Sequence, residues 1–137
     1  MTLAIGDLRP AEVEAAVALW EACGLTRPWN DPRADIALAL AKHTSTVLAG
    51  RVDGQVVATA MVGSDGHRGW VYYLAVAPDR QRHGYGAQMM RAAADWLKAR
   101  GAPKLHVMIR RENIGVAAFY ARLGYEKSDT ITMAKRL

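Results

Sequence analysis

The chain is organised around Val76-Ala77-Pro78-Asp79-Arg80-Gln81-Arg82-His83-Gly84-Tyr85-Gly86-Ala87. An apolar, strand-like run (71–76) enters this stretch, and a helical pattern (87–100) leaves it. The first amides of a helix have no partner within the helix and lie at the positive end of its dipole. We expect Gly84 and Gly86 to adopt positive φ and to allow close approach of a ligand. The stretch therefore predicts an anion-binding turn at a helix N-terminus.

The spacing of this turn is more specific than two glycines alone, which many strand-to-helix turns contain. Gln81-x-x-Gly84-x-Gly86 follows Val76-x-Pro78. The P-loop pattern Gly-x4-Gly-Lys-Ser/Thr is absent, and so is the Rossmann pattern Gly-x-Gly-x-x-Gly. The turn resembles the pyrophosphate-binding turn of the GNAT superfamily of N-acetyltransferases, whose signature is Gln/Arg-x-x-Gly-x-Gly/Ala.

Two further segments carry the same resemblance. Asn113-x3-Ala117-x-Phe119-Tyr120-x2-Leu123-Gly124-Tyr125 is similar to the closing motif of the superfamily, with the alanine one place later. The run 73–78 resembles its fourth strand, in which a bulge exposes backbone to the pantetheine arm. Within the superfamily, segments 27–32 and 65–69 and the terminal Lys-Arg-Leu resemble small bacterial YpeA-type acetyltransferases. Ribosomal-protein alanine acetyltransferases are more distant relatives.

Composition limits the class of protein. With 137 residues, of which 51% are apolar and 23% charged, we expect a single packed domain over residues 1–137. No apolar run approaches the ~20 residues that span a bilayer, and the start does not resemble a signal peptide, so we expect no membrane association. The single cysteine, Cys23, fits a reducing cytoplasm.

Charge indicates an anionic partner. The net charge is +5 and the pI is about 9.7. The basic residues are dispersed and few aromatic residues lie among them, so we expect a phosphorylated cofactor and no nucleic acid. The scattered histidines and the single cysteine do not have metal-ligand spacing, so we expect no metal site.

Periodicity and breakers predict the order β-α-α-β-β-β-α-β-α-β-β. The segments are strand 2–8, helices from Pro10 to Gly24 and over 32–42, strands 46–52, 55–62 and 70–76, helix 87–100, strand 105–109, a helix from Asn113 to Gly124, and a last strand that begins over 131–133. Asp53-Gly54 predicts a type I′ hairpin turn. Interleaved helices and hairpins favour an α/β (α+β) fold, with a mixed central β-sheet flanked by helices on both faces.

The resemblance implies acetyl-CoA as the cofactor. Leu74, Ala75 and Val76 are expected to pair with the pantetheine amides as an added strand would. The turn is expected to hold the pyrophosphate, largely through backbone N–H groups, and Asn113 to reach the cofactor near its thioester. The expected cofactor-binding residues are Leu74, Ala75, Val76, Gln81, Arg82, His83, Gly84, Tyr85, Gly86, Ala87 and Asn113.

Tyr120 is the predicted catalytic residue. Acyl transfer from a thioester to an amine expels a thiolate, which titrates near pH ~8.5, and a positioned phenol of pKa about 10 can donate a proton to it. Asn113 and Tyr120 are two helical turns apart and share a face. Phe119 can then fill the core while Tyr120 faces the cleft.

The general base stays open. Superfamily members often carry a glutamate on the fourth or fifth central strand, but 70–76 contains no carboxylate and Met108 stands at the corresponding place in the next strand. Candidates for deprotonating the amine are His106, Asp65, His67, Glu112 and a water relay.

The acceptor is predicted to be a primary amine of a small molecule or a peptide. Trp29, Asn30 and Asp31 lie between Pro28 and Pro32 and suggest a loop that binds a cationic acceptor, because an acid beside an aromatic ring suits an ammonium group. The expected activity is acetyl-CoA-dependent N-acetylation by direct attack in a ternary complex. The alternative is a non-catalytic acyl-CoA-binding module. We expect a monomer or a homodimer.

Overall fold

A computed structural model describes residues 3–137. Thr2, the predicted beginning of the first strand, lies outside the described residues. Five strands are formed: β1 (Ala4–Asp7), β2 (Ser45–Val52), β3 (Gln55–Ser64), β4 (Gly69–Val76) and β5 (Leu105–Val107). Four helices accompany them: α1 (Val13–Ala22), α2 (Pro32–Leu40), α3 (Tyr85–Ala99) and α4 (Ile114–Arg122). Short 3₁₀ turns cover Pro10–Glu12 and Pro78–Arg80.

The strands form one mixed sheet in the order β1-β2-β3-β4-β5. The first four strands are antiparallel, and β5 runs parallel to β4. The tight turn between β2 and β3 has φ of +52° at Asp53 and +78° at Gly54. Positive φ at both central residues is what a type I′ turn requires, so the predicted hairpin is confirmed.

Each face of the sheet buries its own apolar cluster. On one face, α1 and α2 contribute Val17, Trp20 and Ile36. On the other face, α3 contributes Met89 and Leu97. Helices therefore cover both faces of the mixed sheet, and the predicted fold class is confirmed.

The last two strands of the predicted order are wrong. Residues 123–137 contain no strand, and Ile131 and Met133 are 82% and 87% exposed. Strand propensity reflects the fit of side chains to a pleated, half-buried surface, and no sheet edge covers these two side chains. The predicted strand over 105–109 is also shorter, since it ends at Val107.

None of the helices formed by residues 3–137 is both long enough and apolar enough to cross a bilayer.

Candidate active site

An open strand edge lies beside β4. Only Gly69–Val71 pair with β5, opposite Leu105–Val107. From Tyr72 to Val76, β4 keeps β3 on one side, and within residues 3–137 no strand pairs with its other side. Backbone groups on such an edge can pair with an extended ligand as with an added strand. This edge contains Leu74, Ala75 and Val76.

A β-bulge lies at the start of this edge. Tyr72 pairs with Met61 and Ala75 with Thr59, so two residues of β4 oppose one residue of β3. At the bulge, Tyr73 has φ of +51°. A bulky residue in the left-handed region is a backbone outlier that needs support from its surroundings. The bulge implied for 73–78 is therefore confirmed.

The turn before α3 has the positive φ that was expected at Gly84. Arg82 has φ of +68° and Gly84 has φ of +77°, and α3 begins at the next residue, Tyr85. A Cβ added to Gly84 would find no atom within 4 Å, so the space in front of the turn is open. The first backbone N–H groups of α3 have no partner within the helix, which suits a phosphate.

Gly86 is needed for a different reason from the one predicted. It lies inside α3 and is not among the residues with positive φ. A Cβ there would come within 3.2 Å of Phe119 Cζ. Glycine thus allows α4 to pack closely on the first turn of α3, which brings the two predicted motifs together.

Of the other residues of the turn, some have side chains held by the rest of the fold and others have exposed side chains. Gln81 Nε2 donates a hydrogen bond of 3.3 Å to the Val76 carbonyl and ties the turn to the end of β4. The Tyr85 side chain is buried, so it can offer a ligand its backbone only. Arg82 and His83 are exposed and can add positive field.

α4 carries Asn113 and Tyr120. Asn113 occupies the N-cap position, but its side chain makes no capping hydrogen bond and is exposed. Tyr120 is buried, with its ring edge-on to Phe119 and to Tyr125 at centroid distances of 5.1 and 5.4 Å. Tyr120 thus lies in the core cluster, whereas Phe119, which was expected to fill the core, is half-buried. Burial, with a smaller contribution from Tyr125, raises the pKa of Tyr120 to about 12. The hydroxyl therefore keeps its proton at neutral pH.

The four candidate bases lie in different surroundings. Asp65 Oδ1 accepts hydrogen bonds from the backbone N–H groups of His67 and Arg68, at 2.8 and 2.7 Å, so this carboxylate builds a turn. These bonds lower the pKa of Asp65. His67 and Glu112 are exposed. The His106 ring stacks on Trp70 at 4.7 Å, and its Nδ1 is buried without a hydrogen-bond partner in residues 3–137.

The loop before α2 presents one exposed aromatic ring. Trp29 is 56% exposed and does not pack as a core residue. Asp31 Oδ1 accepts from the backbone N–H groups of Arg33 and Ala34 and caps α2. Asn30 Oδ1 accepts a bond of 3.2 Å from Arg136 Nη2, which brings the C-terminal segment to this loop.

Sequence reasoning missed a side-chain network behind the bulge. Thr59 and Trp20 contact the main chain and ring of Tyr73, and Asp35 contacts its hydroxyl. The partners are far apart in sequence, and each residue type is common in a core, so no local sequence pattern predicts the network.

A cavity of about 650 Å³ lies away from these features. Its lining includes Ser45 at the start of β2 and Arg100 just after α3. The turn before α3 is at the opposite end of that helix. We therefore assign the candidate site to the open edge and the turn, whose geometry suits a ligand, and not to this cavity.

Comparison with known proteins identifies the family. The family model described as the Acetyltransferase (GNAT) family matches residues 11–125. This chain belongs to that family. It is 43% identical to an acetyltransferase of Pectobacterium atrosepticum over 129 residues. The alignment covers 94% of this chain and 92% of that protein. The GNAT family assignment agrees with both motifs, and the activity is acetyl-CoA-dependent N-acetylation.

Solved structures share the GNAT fold. A complex of AAC(6')-Iy with the bisubstrate analogue CoA-S-monomethyl-acetylneamine has a TM-score of 0.85 at 15% identity, covering 100% of this chain and 99% of that one. A ribosomal-protein-alanine N-acetyltransferase from Brucella melitensis has a TM-score of 0.79 at 19% identity, with full coverage of both chains. The cofactor is acetyl-CoA. None of these comparisons favours the non-catalytic alternative.

Proposed function

We propose that the open edge of β4 and the turn before α3 together form the acetyl-CoA site. The observation that carries this proposal is the open edge of β4 from Tyr72 to Val76, which leads into a positive-φ turn with open space at Gly84. The residues proposed to bind the cofactor are Leu74, Ala75, Val76, Gln81, Arg82, His83, Gly84, Tyr85, Gly86, Ala87 and Asn113. Asn113 is included because its amide is exposed and does not cap α4.

Tyr120 is the proposed general acid. Bound acetyl-CoA supplies an acetyl group activated as a thioester, which a neutral amine of the acceptor attacks directly in a ternary complex. Tyr120 is protonated at neutral pH, because burial holds its pKa near about 12. Its hydroxyl can therefore donate a hydrogen bond, and then a proton, to the sulfur that leaves.

The acceptor must lose a proton before it attacks, because an ammonium group has no lone pair. His106 is the first group to test, since its buried Nδ1 has no hydrogen-bond partner in residues 3–137. Asp65, His67, Glu112 and a water relay stay as alternatives. His106→Gln should lower kcat if the imidazole takes this proton, and an unchanged kcat would exclude it.

The proposed acceptor is a cationic amine, carried by a small molecule or a peptide, that contacts Trp29, Asn30 and Asp31. The support is an exposed indole two residues before a carboxylate in the same loop. Trp29→Ala should raise the acceptor KM with little change in kcat. Asp31→Asn separates charge from capping, because asparagine caps helices about as well as aspartate. An acceptor KM unchanged in both variants would contradict this assignment.

Calorimetric titration of acetyl-CoA tests the cofactor site. Gly84→Glu should weaken binding at least ~100-fold, because it places a strained, negatively charged side chain where the pyrophosphate would lie. Gly101→Glu is the matched control: it lies just after the same helix, its φ is +80° against +77°, and it also has nothing within 4 Å of an added Cβ. Equal affinity in both variants would contradict the site, and no binding by wild type would contradict the whole proposal.

We further propose that residues 1–137 form a single acetyltransferase domain that acts in the cytoplasm as a monomer or homodimer. The single cysteine supports a reducing compartment. Sedimentation of the pure protein would give the oligomeric state, and cell fractionation its location.

A further inference from the structure

Three contacts hold Tyr73 in its left-handed conformation. The Thr59 hydroxyl donates a 2.9 Å hydrogen bond to the Tyr73 carbonyl. The Tyr73 ring stacks on Trp20 with a centroid distance of 3.7 Å and an angle of 7° between the planes. The Tyr73 hydroxyl donates a 2.8 Å bond to Asp35 Oδ2. Carbonyl, ring and hydroxyl are thus each held by a different element, namely β3, α1 and α2.

The network is buried at its centre. Thr59 and Trp20 are fully buried, and Trp20 Nε1 donates a 2.8 Å bond to Thr59 Oγ1. The Thr59 hydroxyl therefore accepts one bond and donates another, which fixes the direction of its proton. A buried polar chain whose members are all satisfied specifies one arrangement of the groups it joins.

The network acts on the backbone that the proposed cofactor site uses. Tyr73 directly precedes Leu74, Ala75 and Val76, and pairing with β5 has already ended at Val71. Because the chain is continuous, the φ of Tyr73 sets the direction of the peptide groups that follow. A residue in ordinary extended geometry here would continue the regular ladder, so the bulge decides which groups face the open edge.

We propose that Thr59, Trp20 and Asp35 are positioning residues that hold the Tyr73 bulge and thereby prearrange the β4 edge for acetyl-CoA. This inference rests on the proposed cofactor site and adds a second layer of residues to it. None of these side chains has to touch the cofactor. Prearrangement improves affinity because the bound geometry need not be formed at the moment of binding.

Thr59→Val is the sharpest test, because valine keeps the shape but removes the hydroxyl. It leaves the Tyr73 carbonyl and the Trp20 N–H without their bonds. We expect acetyl-CoA binding, measured by calorimetry, to weaken at least ~10-fold. Thr59→Ser restores the hydroxyl and should return the affinity to within ~2-fold of wild type.

A control variant in the same core distinguishes a loss of positioning from a general loss of stability. Ile36→Val removes one buried methylene from the α1–α2 side and leaves every hydrogen bond of the network in place. At a temperature where all variants are folded, Ile36→Val should bind acetyl-CoA like wild type. If Thr59→Val lowers the Tm but binds like Ile36→Val, the positioning role is overturned.

Tyr73→Phe is a second, milder variant in case Thr59→Val fails to fold. It keeps the stacked ring and removes only the bond to Asp35, so we expect about a 3-fold loss of affinity. Unchanged affinity in every folded variant of the network would overturn the proposal while leaving the cofactor site intact. Failure of wild type to bind acetyl-CoA would instead overturn the site itself, and the positioning role with it.

Discussion

The two faces of the sheet are built differently around β4. On the α3 side, the turn over 81–87 and the first turn of α3 are contiguous in sequence, and α4 joins them through the close contact at Gly86. On the α1–α2 side, the contacts to Tyr73 of β4 come from residues on other elements: Thr59 reaches Tyr73 across 14 positions, and Asp35 reaches it across 38.

The two faces differ in whether a local sequence motif can reveal the features that lie on them. A turn that binds a phosphate through backbone amides depends on a few residues at fixed spacing, so its sequence is a motif. A network that holds a bulge depends on where four elements meet, so its residues can lie anywhere in the chain. The predictions below alter one face while leaving the other unchanged.

Tyr120→Phe should have the largest effect. It removes the proposed proton donor and keeps the ring that packs against Phe119 and Tyr125. We expect kcat to fall by about 10²–10⁴-fold with the affinity for acetyl-CoA unchanged. Steady-state kinetics with an accepted amine and calorimetry with acetyl-CoA measure the two quantities.

Tyr125→Phe is the matched control for Tyr120, because it removes a hydroxyl from the neighbouring aromatic ring. Its kcat should stay within a few-fold of wild type. Equal losses in both variants would contradict a specific role for the Tyr120 hydroxyl.

Glu12→Gln should give the largest stability loss among these variants. Glu12 makes two hydrogen bonds, of 2.6 and 2.7 Å, to Arg51, and the two side chains are 13% and 8% exposed. Bonding to Arg51 lowers the pKa of Glu12 to about 2. We expect the free energy of unfolding at pH 7 to fall by about 2 kcal/mol, because a buried guanidinium loses its charged partner.

The lowered pKa of Glu12 also predicts how the free energy of unfolding changes with pH. A lowered pKa in the folded state means that the ion pair stabilises the protein fully above about pH 4.5 and loses its effect as pH falls toward about 2. Urea titrations of wild type and Glu12→Gln should therefore converge over that interval. Glu14→Gln is the contrast: its pair with Arg33 is also 2.6 Å long, but the side chains are 70% and 55% exposed, so no measurable change is expected.

Gly86→Ala and Gly115→Ala should give the smallest effects on stability, and the two effects should differ. Both residues lie in helices, where alanine is favoured over glycine by about 1 kcal/mol. An added Cβ meets nothing within 4 Å at Gly115 but lies 3.2 Å from Phe119 at Gly86. Thermal melts should show a gain for Gly115→Ala and none for Gly86→Ala. A gain in both would mean that the α3–α4 contact yields easily.

Much of the fold followed from local patterns. The type I′ turn at Asp53-Gly54, the glycine at 84 and most helix and strand positions depend on conformational preferences of a few neighbouring residues. The features that the sequence predicted wrongly depend on contacts between residues that are distant in sequence. Ile131 and Met133 were predicted to begin a strand, but they pair with no strand of residues 3–137 and are exposed. Gly86 is a glycine because of Phe119 and not because of its own φ.

The sequence by itself determined the family, the cofactor class and the positive-φ turn at Gly84, because each depends on side-chain and backbone properties at fixed spacing along the chain. Only the tertiary structure decided where β4 leaves β5, how the bulge at Tyr73 is held, and which residue packs against Gly86. These features come from distances between elements that are far apart in the chain. The conformational preferences of neighbouring residues do not determine such distances. The distances arise only when the two apolar faces of the sheet are buried together.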